Sequence, residues 1–216
     1  TGVVISKYFA KTDIRTQGSG NAGTTNMLRI LGKRAAIPVF ALDFLKGFVA
    51  VTIIDLVKYD EVFANAPTEN WFYILRFAAL MCAVLGHIFP IFANFKGGKG
   101  VATLVGAVTG IYPQIVLLCF AAWSLVFLFT HYVSLASMTA GCCFPALVVI
   151  YSSTEWSRNE EVSFTFILFS FAVAILLLWS HRKNIQRLKD GTESKIYIWG
   201  KPKDERQKEK EQEKKD

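Results

Sequence analysis

Three short stretches hold most of the residues that could do chemistry. The first is Gly18–Asn26, reading GSGNAGTTN, with Arg29 just beyond it. Gly18, Gly20 and Gly23 alternate with Ser19, Asn21, Thr24, Thr25 and Asn26, so the loop can turn backbone N–H groups and short hydroxyls toward an oxyanion. Arg29 would then be the charged clamp. The plain alternative is a turn before a helix capped by Thr25 or Asn26. The second stretch is Lys96–Thr103, reading KGGKGVAT. Gly97, Gly98 and Gly100 permit close approach of the chain, Lys99 supplies a point charge, and Lys96 lies beside it. A helix starting near Gly100 would add free N–H groups and its dipole. It is not a nucleotide-binding P-loop, because Gly100 stands where Ser or Thr would have to follow Lys99. The alternative is an ordinary basic turn. The third stretch is His181–Lys195, reading HRKNIQRLKDGTESK. His181 and Asn184 are three apart, on one face of a continuing helix, so both can reach one ligand. Its basic residues could equally be a juxtamembrane cluster for anionic lipid.

Elsewhere the polar residues read as structural. Asp43 and Lys46 sit three apart inside an apolar run and suit an intramembrane pair. Arg76 lies near a span end and can snorkel. His87 reads as a helix–loop hydrogen-bonding residue, and His131 as an incidental residue of an outer turn. Cys82, Cys119, Cys142 and Cys143 lie in apolar stretches without metal-ligand spacing and read as small buried apolar groups. No metal site is expected. No His is followed four residues later by Asp, and no paired carboxylates lie on the basic loops. Chemistry here must rest on anion binding and positioning.

The elements that carry these stretches are apolar. The chain has 216 residues, 52% hydrophobic and 19% charged, with net charge +7. From Val101 to Thr154 there is no Asp, Glu, Lys or Arg. A water-soluble domain cannot be surfaced by such a run, so an ordinary soluble enzyme, a disordered chain and a disulfide scaffold are excluded. What remains is an all-α polytopic membrane protein. Ala35–Val57, Trp71–Phe95 and Val162–Ser180 read as spans. Thr1–Ala10 reads as the tail of a truncated first helix, without the features of a signal peptide. Segments Lys11–Arg34 and Asn94–Gly100 and the start of the segment from His181 are net basic, whereas Lys58–Asn70 and Ser152–Glu161 are net acidic. Lys and Arg favour the cytoplasmic side. The charge-free run must then cross an odd number of times, and three crossings of about 17 residues fit it best. Breaks are expected at Gly110–Gln114, with Pro113, and near Thr130–Ser134. The total is a seven-span helical bundle, N-terminus outside and C-terminus cytoplasmic, with all three polar stretches on the cytoplasmic face. Residues 1–199 form the membrane domain. Residues 200–216 form a charged tail that reads as a solvated extension.

Together, GSGNAGTTN with Leu28 and Arg29, LDFLKG (Leu42–Gly47), GHIFPIFANFKGGKGVAT (Gly86–Thr103) and the third stretch resemble the bacterial PlsY family, membrane acyltransferases. The resemblance runs to about Lys195. It implies transfer of a fatty acyl group from acyl phosphate to the sn-1 hydroxyl of glycerol-3-phosphate, giving lysophosphatidic acid and phosphate, at the bacterial inner membrane. It implies no cofactor and no nucleic acid. The partners would be the two substrates, membrane lipid and the soluble enzyme that makes acyl phosphate. By the resemblance, Ser19, Arg29, Lys99, His181 and Asn184 are catalytic. Gly20, Asn21, Thr25, Asn26, Lys96, Gly97, Gly98, Gly100 and Thr103 shape the phosphate sites, and Glu193 is a structural anchor. Thr24 stands where the family usually has Ala, and the leading helix is short. A transporter of a phosphorylated metabolite is the competing reading, although no internal repeat is visible and the glycine loops lie at span ends.

Overall fold

The computed structural model describes residues 1–58, 69–153 and 164–197. Among these residues the fold is helical: α1 (Gly2–Ala10), α2 (Thr24–Leu31), α3 (Lys33–Lys58), α4 (Glu69–Ile88), α5 (Val101–Thr109), α6 (Pro113–Thr130), α7 (Val133–Ser152), α8 (Phe164–Ser180) and α9 (Arg182–Lys189). Among the described residues, four helical segments are long and apolar enough to cross a membrane: Lys33–Leu56, Trp71–Ala93, Pro113–Thr130 and Val133–Ser152. A fifth candidate is α8 taken with α9, which are bent by 55° at His181. The expected acidic loops and the charged tail lie mostly or wholly outside the described residues.

The charge-free run does divide into three helices. Its breaks fall at Gly110–Tyr112, before Pro113 starts α6, and at His131–Tyr132. The three are unequal. α5 has nine residues, about 14 Å of helix, which is half a span rather than the expected length. Nor does α4 extend to Phe95. It stops at Ile88, because Pro90 has no N–H to continue the ladder, and a single tight turn follows at Ile91–Ala93.

Without a hydrophobic force between helices in lipid, packing relies on small residues and satisfied polar groups. α3 and α5 show both. A side chain at Gly47 would strike the Thr103 carbonyl, and one at Gly106 would strike that of Phe44, so the two backbones touch through reciprocal glycines. The expected Asp43–Lys46 pair forms at 2.6 Å, and His87 of α4 joins it, its Nδ1 2.6 Å from Lys46 Nζ and 3.2 Å from Thr103 Oγ1. Arg76 pairs with Asp55 across α3 and α4. At the bundle centre, Phe166 stacks on Phe77 and meets Tyr112 and Phe144 edge-on or tilted. Cys119 and Cys143 are half-buried, but Cys82 and Cys142 are exposed on the outer faces of α4 and α7, which corrects the expectation that all four are buried. In a membrane those faces meet lipid, where a thiol is as acceptable as a methyl group.

Replacing Gly106 by Leu should force α3 and α5 apart. The apparent melting temperature in detergent should fall by roughly 5 °C or more. An unchanged melting temperature would show that the two helices do not meet there.

Candidate active site

Asn26, fully buried in the first turn of α2, ties down the first loop. Its Oδ1 accepts the Ser19 N–H at 2.9 Å, and its Nδ2 reaches the carbonyls of Ile14, Gln17 and Asn21 at 3.0–3.1 Å. Asn21 Oδ1 in turn accepts the Gly23 N–H. Gly18 and Gly20 have positive φ, which lets the chain wrap round the amide. Gly23, rather than Thr25 or Asn26, is the N-cap of α2, and no side chain caps that end. Asn26 therefore spends both polar atoms, and Asn21 its Oδ1, on the loop's own backbone.

The second loop is held from the other side. The N–H groups of Gly97 and Gly98 bond the carbonyls of Ile88 and His87, and a Cβ on Gly98 would run into the His87 ring. These glycines are there for close approach to α4. Arg15 then joins the two loops: its guanidinium grips Asp13 and donates to the carbonyls of Ala93 and Lys96. Those hydrogen bonds hold the Asp13 carboxyl down at about 2.

Glu193 gathers the third stretch. Its carboxylate is 1% exposed and accepts from Ser134 Oγ (2.9 Å), Asn184 Nδ2 (2.8 Å) and Arg187 Nε (2.7 Å), with Arg29 at 3.8 Å. Burial opposes its charge, but the bonds from Arg187, Asn184 and Ser134 outweigh burial and keep the carboxyl below its ordinary range. Asn184 passes the link on, since its Oδ1 accepts from Lys99 Nζ. Arg29 Nη2 bonds the Ser194 carbonyl at 2.7 Å. Burial pulls Lys99 down to about 8, with Glu193 opposing the shift. His181, 2% exposed, sits at the bend between α8 and α9 with Nδ1 2.8 Å from the Leu177 carbonyl. A carbonyl only accepts, so Nδ1 carries the proton and Nε2 keeps its lone pair. Burial and the Lys99 charge lower His181 to about 4, so the ring is neutral at physiological pH.

These groups line one end of a cavity of about 600 Å³. Ser19, Asn21, Thr25, Asn26, Arg29, Lys99, Gly100, His181, Asn184 and Glu193 all contribute, as do Asp43 and His87. The remaining wall is mainly apolar and follows α6 from Val116 to Phe127, about 17 Å along the axis. Gly20, Lys96, Gly97, Gly98, Thr103 and Lys46 are not among its lining residues. Lys96 is exposed, Thr103 bonds His87, and Lys46 stays with Asp43. His131 is not incidental: its carbonyl accepts the Ile196 N–H and its ring packs on Tyr197, at the same end of the bundle as the site. Sequence reasoning missed Arg15, Ser134 and the Glu193 pairing of Arg187. Arg15 and Ser134 carry no local signal beyond charge or polarity, because their partners are distant in the chain.

Two buried polar atoms in this lining make no hydrogen bond among the described residues: Thr24 Oγ1 and Arg29 Nε. Arg29 and Lys99 bring two cations to the same lining, which suits an anion. The site thus joins a cationic polar end to a greasy channel within a helical membrane bundle.

A family described as glycerol-3-phosphate acyltransferase matches residues 1–191. The glycerol-3-phosphate acyltransferase of Thermoanaerobacter pseudethanolicus is 42% identical over 193 residues, covering 89% of this chain and 86% of its own. The crystal structure of PlsY, an integral membrane glycerol 3-phosphate acyltransferase, in its glycerol 3-phosphate form superposes with a TM-score of 0.72 at 36% identity, covering 91% of this chain and 88% of that one. Its lysophosphatidic acid form gives 0.68 at the same identity, covering 91% and 87%. The fold and site define a membrane acyltransferase of this kind. The chain belongs to the glycerol-3-phosphate acyltransferase family of PlsY.

Anion affinity should follow the charge on Lys99. An anion at the site favours the protonated lysine, so binding is fully present below about pH 8 and is lost as pH rises through the raised pKa of the bound form. Calorimetric titration with inorganic phosphate between pH 6.5 and 10 should show that decline, and Lys99→Arg should abolish it. A pH-independent affinity would remove Lys99 from the anion site.

Proposed function

We propose that this chain transfers a fatty acyl group from acyl phosphate to the sn-1 hydroxyl of glycerol-3-phosphate, giving lysophosphatidic acid and inorganic phosphate. One observation carries the reading. Lys99, Arg29, His181 and Asn184 converge on the polar end of a cavity whose other wall is apolar and as long as most of α6. A phosphorylated headgroup fits one end, and a fatty chain fits the other.

The chemistry follows from the geometry. The sn-1 oxygen attacks the acyl carbonyl carbon and forms the ester C–O bond. The bond from that carbon to the bridging oxygen breaks, and its electron pair leaves with the phosphate. The phosphate takes the hydroxyl proton. A mixed anhydride is already activated, so no strong protein nucleophile is needed. Lys99 and Arg29 hold phosphoryl oxygens and neutralise the charge that moves onto the leaving group. Asn184 fixes the Lys99 ammonium, and Ser19 lies on the loop knotted by Asn26. His181 accepts the hydroxyl hydrogen bond at Nε2 as the substrate binds, and the hydrogen turns to the departing phosphate as the ester bond forms. A ring lowered to about 4 is a weak base at neutral pH, so it orients the hydroxyl rather than removing its proton.

The topology that suits this reaction has seven spans: α1, α3, α4, the short α5, α6, α7 and α8. The N-terminus is outside and the C-terminus is cytoplasmic in a bacterial inner membrane, as the basic segments favour. The site then opens to cytoplasmic glycerol-3-phosphate, and a soluble enzyme supplies acyl phosphate.

Purified protein in lipid or detergent should release phosphate from acyl phosphate only when glycerol-3-phosphate is present, without acyl-CoA. Ser19→Ala and Arg29→Ala should each lower the rate at least about a hundredfold. Turnover with acyl-CoA but not acyl phosphate would overturn the donor, and uptake of glycerol-3-phosphate into liposomes without acylation would overturn the reaction.

A further inference from the structure

Thr24 opens α2 and lines the cavity, but its hydroxyl is idle. Thr52, Thr109 and Thr130 each bond the carbonyl four residues back in their helix: Phe48, Val105 and Val126, at 2.6–3.0 Å. Thr24 is the first residue of its helix, where no preceding helical turn offers that carbonyl. Its Oγ1 is nonetheless buried, and it has no hydrogen-bond partner among the described residues. A buried hydroxyl left unpaired is a net cost to the fold, which a valine of the same shape would avoid. Arg29 Nε, on the same helix and lining the same cavity, is in the same state. The neighbouring Asn26 amide and the Asn21 Oδ1 are, by contrast, committed to backbone. Two buried donors are thus left over at one wall of the anion-binding end, beside an uncapped helix start.

We propose that Thr24 is a further substrate-binding residue, whose hydroxyl donates, together with Arg29 Nε, to the phosphoryl oxygens of a bound substrate. The inference rests on the acyltransferase reading for the identity of the ligand: the phosphoryl group belongs to glycerol-3-phosphate or to acyl phosphate. The hydroxyl and the guanidinium N–H are both donors, and a phosphate offers only acceptors to them. The wall therefore selects for a fully ionised phosphoryl group over a neutral headgroup.

The test compares Thr24→Val, Thr24→Ser and Thr24→Ala in the full chain. In acyl transfer, Thr24→Val and Thr24→Ala should raise the KM of one phosphorylated substrate about tenfold, the loss of one hydrogen bond to a charged group. Thr24→Ser, which keeps the hydroxyl, should stay within about threefold of the parent. The substrate whose KM rises identifies the source of the phosphoryl group. Without ligand, Thr24→Val should melt no lower than the parent, because it removes an unsatisfied group. The rise in melting temperature produced by inorganic phosphate should shrink in Thr24→Val and persist in Thr24→Ser. Unchanged KM values for both substrates, with an unchanged response to phosphate, would overturn the proposal. If the parent protein shows no acyl transfer, the acyltransferase reading fails, but the phosphate-dependent melting of the three variants still reports on the hydroxyl.

Discussion

The buried carboxylate of Glu193 is the constraint on which the site depends. An ionised carboxyl removed from water is tolerated only if cations and donors surround it. Here they come from four side chains on three helices: Ser134 at the start of α7, Asn184 and Arg187 on α9, and Arg29 on α2. Satisfying one charge therefore brings together the ends of three helices. It also places Asn184 where it can hold Lys99, so the order imposed on Glu193 passes to a cation lining the cavity. Removing one partner of such a buried pair typically costs about 3–5 kcal/mol.

A second division runs along the cavity. The polar end is made of loops and helix starts, whose backbone groups need partners and find them in Asn26, His87 and Arg15. The apolar end is made of helix faces, which need none. The helical ladder satisfies its own backbone, so α6 can line a channel with Leu117, Phe120 and Trp123 while its other face meets lipid. The cavity thus offers a polar surface at one end and an apolar one along α6.

The intramembrane cluster of Asp43, Lys46 and His87 works in the same way at smaller scale. Charges inside a span persist when paired, and this pair also sets the ring against which Gly98 packs. The position of Lys99 is thereby referred to α3 and α4 as well as to Glu193. Its backbone is placed from the α4 side and its ammonium from the α9 side, through Asn184.

Much of this was legible in the chain itself. Hydropathy and charge are local properties, so the apolar helices, the breaks near Pro113 and His131 and the Asp43–Lys46 pair could be read directly. So could the three polar stretches and the shared face of His181 and Asn184. What a polar side chain bonds to is not local. Arg15 reaches carbonyls about eighty residues away, Ser134 reaches Glu193, and Arg29 reaches the Ser194 carbonyl 165 residues on. Only the crossing of the helices decides such contacts. The same holds for the close approach of Gly97 and Gly98 to α4 and for the half-length of α5. The sequence determined which groups stand at the ends of the spans, because burying or exposing a residue is a matter of its own transfer free energy. The tertiary structure decided which of those groups spend their hydrogen bonds on one another and which are left for a ligand.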